Sequence, residues 1–206
     1  MTLADLLEEV FARGFTDWEE PEDKRARVVR WINQSIREIT DQARWPFLEA
    51  TETGTAPFVL EDLGHVVALS DESNSPIPFI EVAALVNDGA DLGEEGTAQF
   101  WYRQGESTIN VYPVDTTTTF TVRYLKVVDE LGDDGDEPPI PAGYRDLIID
   151  GAVFRAYKAT DNFGAAQEVK AAWEIGMRSM RHALLKPNYD RERLIVRTGS
   201  SADYLG

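Results

Sequence analysis

Apolar residues near the start of the chain recur at the spacing of one helix face. They are Leu3, Leu6, Leu7, Val10 and Phe11. Thr2 and Asp5 are placed as a capping pair before this face, and Gly14 follows it, so a first helix is predicted. A second helix is predicted to end near Arg44, because Pro46 disfavours helical backbone at Trp45. Its apolar face contains Val28, Ile32, Ser35, Ile36, Ile39 and Ala43.

Residues 47–127 have the composition of β-strands. Thr, Val, Phe and Tyr become frequent, while Gly, Pro, Asn and Asp divide the segment into short pieces. Strands are predicted near residues 55–60, 65–70, 97–103, 107–112 and 118–127. The segment from Ile80 to Asp88 has ambiguous apolar spacing and is compatible with a short helix.

Helical spacing returns in residues 142–185. A helix from Tyr144 to Lys158 is apolar on most sides, which is typical of a central position. The last helix has one face of apolar and small residues: Ala166, Val169, Trp173, Gly176, Met177, Met180 and Leu184. The predicted fold class is α+β, a mainly α-helical bundle formed by both chain ends with an antiparallel β-rich insert. The predicted domains are the bundle (1–46 and 139–186), the insert (47–138) and an extended C-terminal arm (187–206).

Charge is distributed unevenly along the chain. The 206 residues include 37 acidic and 20 basic side chains, a formal net charge of −17. Between Trp45 and Val122 there are 13 acidic residues and a single basic one, Arg103. The loop from Asp129 to Glu137 adds further carboxylates without a basic residue. Such a surface repels phosphate, so tight binding of DNA is not expected.

Residues that carry chemistry are scarce. The chain has no cysteine, which excludes disulfides, thiolate metal sites and cysteine nucleophiles. Its two histidines, His65 and His182, lie far apart without a nucleophile motif, and a structural role is predicted for both. No glycine-rich phosphate loop is present. We predict no enzymatic activity, no catalytic or metal-binding residues and no cofactor.

Two other patterns favour structural interpretations. The Asp129–Glu137 loop lacks the residue order of an EF-hand, so a solvated loop is favoured over a calcium site. The run Phe100, Trp101 and Tyr102 lacks the basic groove that accompanies aromatic platforms for single-stranded nucleic acid, so packing is favoured.

No membrane-associated segment is predicted. No uncharged run exceeds eight residues, against about 20 for a span of a bilayer. No secretory signal is visible at the N-terminus. We therefore expect a soluble protein that is made in the cytoplasm.

The residues after Pro187 lack periodicity but mix apolar and basic side chains. This mixture suits docking on a partner, and a disordered terminus is the alternative interpretation. The predicted partner or oligomer interface comprises Tyr189, Arg191, Arg193, Leu194, Ile195, Val196, Arg197 and Tyr204.

Three stretches carry a resemblance to a known family. The second helix runs into Arg44-Trp45-Pro46-Phe47-Leu48, and the insert ends in Phe120-Thr121-Val122-Arg123-Tyr124-Leu125. The third stretch is Pro139-Ile140-Pro141 followed by Tyr144-Arg145-Asp146-Leu147-Ile148-Ile149. The closing helix then leads into the extended tail. This order resembles the head-to-tail adaptor proteins of tailed bacteriophages, of the connector or tail-tubular type, over nearly the whole chain.

The resemblance implies a structural virion protein at the head-tail interface, made in the host cytoplasm. Such proteins form homo-oligomeric rings, commonly dodecamers, beneath the portal. The implied partners are the portal protein and an adjacent tail or stopper protein, and DNA passes through the ring without tight binding.

Two other classes of function stay open from the sequence. One is a soluble acidic interaction protein, such as a chaperone or a regulator that mimics DNA. The other is a metal-dependent hydrolase that uses the many carboxylates, which would need a compact Asp/Glu/His constellation that two distant histidines do not supply.

Overall fold

The computed structural model describes residues 1–14 and 22–185. The arm, with all eight residues of the predicted interface, lies outside the described residues. Within them, the helices are α1 (Leu3–Gly14), α2 (Glu22–Asp41), α3 (Val82–Asn87), α4 (Asp146–Ala159) and α5 (Phe163–Leu184). The strands are β1 (Glu49–Gly54), β2 (Phe58–Val59), β3 (Leu63–Ser70), β4 (Pro76–Ile77), β5 (Phe100–Gln104), β6 (Thr108–Tyr112) and β7 (Phe120–Lys126).

Helix α1 begins with the capping pair predicted from the sequence. The backbone N–H of Thr2 donates to Asp5 Oδ2 at 2.7 Å, and the N–H of Asp5 donates to Thr2 Oγ1 at 3.4 Å. These reciprocal bonds satisfy two amides that have no partner within the helix. Leu3, Leu6, Leu7 and Val10 are buried, as the spacing predicts.

One apolar core is shared by α1, α2, α4 and α5. Helix α4 is buried on most sides, as predicted, and two glycines let its neighbours approach closely. A Cβ atom on Gly151 would lie 2.6 Å from Ser35 Oγ of α2. A Cβ atom on Gly176 of α5 would lie 2.5 Å from Leu147 Cδ2 of α4. A larger side chain at Gly151 would collide with Ser35, and one at Gly176 would require the Leu147 side chain to shift.

The strands form two antiparallel sheets. One has the order β1-β7-β3-β4, and the other has the order β2-β6-β5. Buried residues of both sheets meet in a second apolar core, to which Leu69 and Val122 contribute from the first sheet and Ile109 from the second. The Arg103 side chain of β5 donates to the carbonyls of Leu63 and Gly64 in β3 and so links the two sheets.

The α+β class is confirmed by the helices and antiparallel sheets of the described residues. The short helix between strands is present at Val82–Asn87. Strand β1 was not predicted, because it lies at a sheet edge with its residues largely exposed and so carries no apolar alternation. Strand β4 was also missed, and its two residues pair only with the end of β3.

Candidate partner-binding site

The acidic loop from Asp129 to Glu137, here called the acidic strap, is fastened to α2 by a buried asparagine. Asn33 is 4% exposed. Its Nδ2 donates to the carbonyl of Leu131 at 3.0 Å, and its Oδ1 accepts from the Leu131 N–H at 2.9 Å. The Leu131 side chain is buried in the helical core. The strap is therefore an anchored part of the helical body.

The middle of the strap also holds the start of α1. The N–H groups of Leu3 and Ala4 donate to the carbonyls of Asp136 and Asp134, at 2.8 and 3.2 Å. The Asp136 carboxylate accepts from the N–H groups of Asp133 and Gly132, and these bonds lower its pKa. The Asp136 carboxylate thus closes the turn, and the carbonyls of Asp134 and Asp136 cap the start of α1.

Three arginines pair with carboxylates of the strap. Arg25 pairs with Asp134, Arg37 with Glu130 at 3.3 Å, and Arg145 with Glu137 at 2.9 Å. Hydrogen bonding to Arg145 lowers the pKa of Glu137. The loop has no basic residue in its own sequence, but the fold supplies these partners from α2 and from the residue preceding α4. Exposed ion pairs of this kind contribute little individually, so the buried Asn33 contacts dominate the anchoring.

A groove of about 370 Å³ lies between the strap and the start of the β-rich segment. Its apolar lining includes Phe47, Val127 and Pro139. Acidic side chains that line it are Asp62, Asp129, Glu130, Asp136 and Glu137. Val127 is 55% exposed, although it lies directly after β7. Lys126 is the one basic residue of the lining, so the groove combines an exposed apolar surface with a mainly negative rim.

Asp62 is the carboxylate of the groove that is held by side chains of β7. Asp62 accepts from Tyr124 Oη at 3.0 Å and pairs with Lys126 Nζ at 3.0 Å. Burial alone would raise the pKa of Asp62, but the bonds from Lys126 and Tyr124 outweigh it and the pKa is lowered. This part of the rim stays charged at neutral pH.

The two histidines lie on different elements of the described fold. His65 is exposed on β3 and His182 is exposed on α5. Neither imidazole makes a hydrogen bond or ion pair with another described residue. Within residues 1–14 and 22–185, no group of three or more His, Asp or Glu side chains is arranged to hold a metal ion.

Asp115 is the buried carboxylate of the β-rich segment, and it organises the turn before β7. It is 7% exposed and accepts from the N–H groups of Thr118 and Thr117 at 2.9 and 3.0 Å, and from both hydroxyls. These bonds, the Thr118 N–H first, hold the pKa of Asp115 well below its ordinary value although burial opposes them.

We expect Asp115→Asn to reduce the acid sensitivity of folding. Because the folded pKa is depressed, the ionised group stabilises the protein above its unfolded pKa, and this contribution is lost as the pH falls below about 4. Urea unfolding of both proteins between neutral and acidic pH measures the difference. Asp88→Asn is the control, because Asp88 is exposed and its carboxylate makes no hydrogen bond or ion pair with another described residue. An equal pH dependence in wild type and Asp115→Asn would contradict the prediction.

The aromatic run on β5 is used for packing, as predicted. Tyr102 is buried at 6% exposure, and Trp101 packs partly against the second core. The Phe79 ring covers Trp101 with a centroid distance of 4.7 Å. The groove beside the strap, in contrast, was not predicted, because its lining comes from separate segments and no single stretch carries its pattern.

None of the described helices is long and apolar enough to cross a bilayer.

The chain was compared with known proteins. No significant match was found among curated proteins. The family model of the SU10 adaptor protein matches residues 1–199, nearly the whole chain. This match confirms the resemblance seen in the sequence. The chain therefore belongs to the SU10 adaptor protein family of bacteriophage head-to-tail adaptors, and it is a structural protein of tail assembly.

Proposed function

We propose that the chain is a subunit of a homo-oligomeric ring beneath the portal, in the virion, through which DNA passes. The observation that carries this proposal is the family match over residues 1–199. The role is structural, and the ring subunits are joined by one head-to-tail contact that closes on itself. A dodecamer is the expected copy number. Light scattering coupled to size-exclusion chromatography of the purified chain with portal measures it.

The proposed division of the chain into domains follows the two apolar cores. A helical bundle (1–46 and 139–186) forms the body, the β-rich insert (47–138) projects from it, and the arm (187–206) reaches a partner. The separate core of the two sheets supports this division. The described contacts add one refinement, because Leu48 and Leu131 pack in the helical core although they lie within 47–138.

Passage of DNA without tight binding is supported by the surface of the insert. Of its acidic residues between Trp45 and Val122, all but Asp62, Asp71 and Asp115 are exposed. The one basic residue between Trp45 and Val122, Arg103, donates to backbone carbonyls. Exposed carboxylates repel the phosphates of DNA. A filter-binding titration that gave submicromolar, salt-sensitive affinity would contradict this part of the proposal.

The arm is the proposed attachment segment, and its partners are the portal, an adjacent tail or stopper protein, or a neighbouring subunit. Its candidate residues are Tyr189, Arg191, Arg193, Leu194, Ile195, Val196, Arg197 and Tyr204. Burial of a large apolar side chain contributes about 1.5–3 kcal/mol before the cost of ordering the segment. The arginines add orientation and association rate more than affinity.

We expect truncation after Lys186 to abolish attachment to portal-bearing heads while leaving the fold intact. In the described part of the chain, the buried residues of both cores lie within residues 3–180, so circular dichroism and thermal unfolding should change little. Attachment is measured by cosedimentation of the chain with heads. A chain that lacks only Leu205 and Gly206 is the control. If the truncated chain attaches as well as the full chain, the arm has no role in attachment.

A further inference from the structure

We propose that the groove beside the acidic strap is the receptor for the segment Arg191–Arg197 of a neighbouring copy of this chain. This inference rests on the proposed ring, since it names the surface that the arm of one subunit meets on the next. The groove is lined mainly by residues 126–139 of the receiving subunit, and the segment Arg191–Arg197 of the other subunit occupies it.

The first argument is the chemistry of the groove. Val127 exposes an aliphatic side chain beside Phe47 and Pro139. Asp129 has no ion-pair or hydrogen-bond partner among the described residues. Glu130 and Glu137 remain 65% and 57% exposed despite their arginine partners. Apolar side chains beside partly free carboxylates fit a ligand with aliphatic and cationic side chains.

The second argument is the backbone of the groove. The segment that leaves β7 lies outside the helices and strands of the described part of the chain. The N–H and C=O groups of Val128, Asp129 and Glu130 make no hydrogen bond to any described residue. Free main-chain groups beside apolar side chains are the feature that an added peptide segment pairs with.

The third argument is the occupant. Residues 191–197 read Arg-Glu-Arg-Leu-Ile-Val-Arg, which places three aliphatic residues between basic ones. The aliphatic residues match the apolar lining of the groove, and the arginines match its acidic rim. The β-branched residues among them also favour pairing in an extended conformation. Leu194 follows Leu185 by nine residues, a reach of up to about 30 Å at 3.3–3.6 Å per residue. A contact from one copy to the next is the kind that closes a ring.

Cysteine cross-linking tests the contact, because the chain has no native cysteine. One chain carries Val127→Cys, and a second, larger tagged chain carries Ile195→Cys. The two are mixed, assembled on portal-bearing heads and oxidised with diamide. The matched control replaces Val127→Cys with Val86→Cys on α3, since the two valines are 55% and 56% exposed. The mixed disulfide is measured on a non-reducing gel.

We expect about tenfold or more mixed disulfide with Val127→Cys than with Val86→Cys, because docking raises the effective concentration of the two thiols. Equal yields in heads that carry the adaptor would overturn the inference and leave the proposed function standing. Failure of either chain to attach to heads would instead contradict the proposed function. A third chain carries both Val127→Cys and Ile195→Cys. A disulfide that forms within this chain, while the mixed pair forms none, would show docking within one subunit and would also overturn the inference.

A charge exchange provides an independent measurement. Asp129→Lys should lower the yield of the mixed disulfide several-fold, and Arg193→Glu on the tagged chain should restore it. Asp129 is exposed and its carboxylate makes no hydrogen bond or ion pair with another described residue, so we expect the substitution to leave the fold intact. If Asp129→Lys has no effect on the yield, the acidic rim does not recognise the arm.

Discussion

Replacement of Trp45 by alanine is expected to lower the free energy of unfolding by about 3–5 kcal/mol. Trp45 is 0% exposed and lies between α2 and the first strand. Its Nε1 donates to the carbonyl of Ile39 at 2.7 Å, and its ring stacks on Phe47 with a centroid distance of 5.7 Å. Alanine would leave a large cavity in the helical core and would remove the shorter of two hydrogen bonds to the Ile39 carbonyl, which also accepts from the Gln42 N–H at 3.3 Å.

Urea unfolding followed by circular dichroism measures this loss. Trp45→Phe keeps most of the buried ring but removes the donor, so it should fall between wild type and alanine. Phe163→Ala, at a residue that is 58% exposed on α5, is the control and should change the stability by about 0.5 kcal/mol or less. A loss of under about 1 kcal/mol for Trp45→Ala would show that this junction does not depend on the buried ring.

The second large effect is expected at Asn33. Asn33→Ala should lower the free energy of unfolding by about 2–4 kcal/mol, because it removes both partners of the Leu131 backbone and leaves a buried donor and acceptor unpaired. The strap would lose its central attachment to α2, while its exposed ion pairs would replace little of the lost energy. The start of α1, which bonds to Asp134 and Asp136, would be loosened with it.

Hydrogen exchange separates this local effect from a general loss of stability. The Leu131 amide should lose protection by a larger factor than amides of α4. Gln34→Ala is the matched control, because Gln34 is the next residue of α2, is exposed and makes no bond to the strap. Unchanged protection of Leu131 in Asn33→Ala would contradict the proposed anchoring.

The sequence predicted those parts of the fold in which local periodicity and burial coincide. Helices α1 and α4 follow their apolar spacing, and β7 follows its alternation, since Phe120, Val122 and Tyr124 are all buried. The role of Asn33 was invisible, because its partner Leu131 lies 98 residues away and the bond is to backbone. Strand β1 was missed because its pairing with β7 is made by main-chain groups. Its polar side chains do not show the apolar alternation from which a strand is predicted.

The candidate site was predicted less completely. Residue order was sufficient to identify the family, because the resemblance spans nearly the whole chain and the match to residues 1–199 confirms it. The residues of the arm stay a prediction, because they lie outside the described residues. The groove was not predicted at all. It is assembled from residues 47–48, 62 and 126–139, and only the fold brings these segments together.

The two apolar cores have no buried residue in common, and this separation bears on how the protein can evolve. Strand β7 is the element where they adjoin, since Tyr124 belongs to the sheet core and Leu125 packs against the helical one. Substitutions at positions of the two cores that lie far from β7 and share no partner act nearly additively on stability. The hairpins of the sheets can therefore diversify in length and charge under selection by different partners, while the helical body keeps an unchanged pattern of packing.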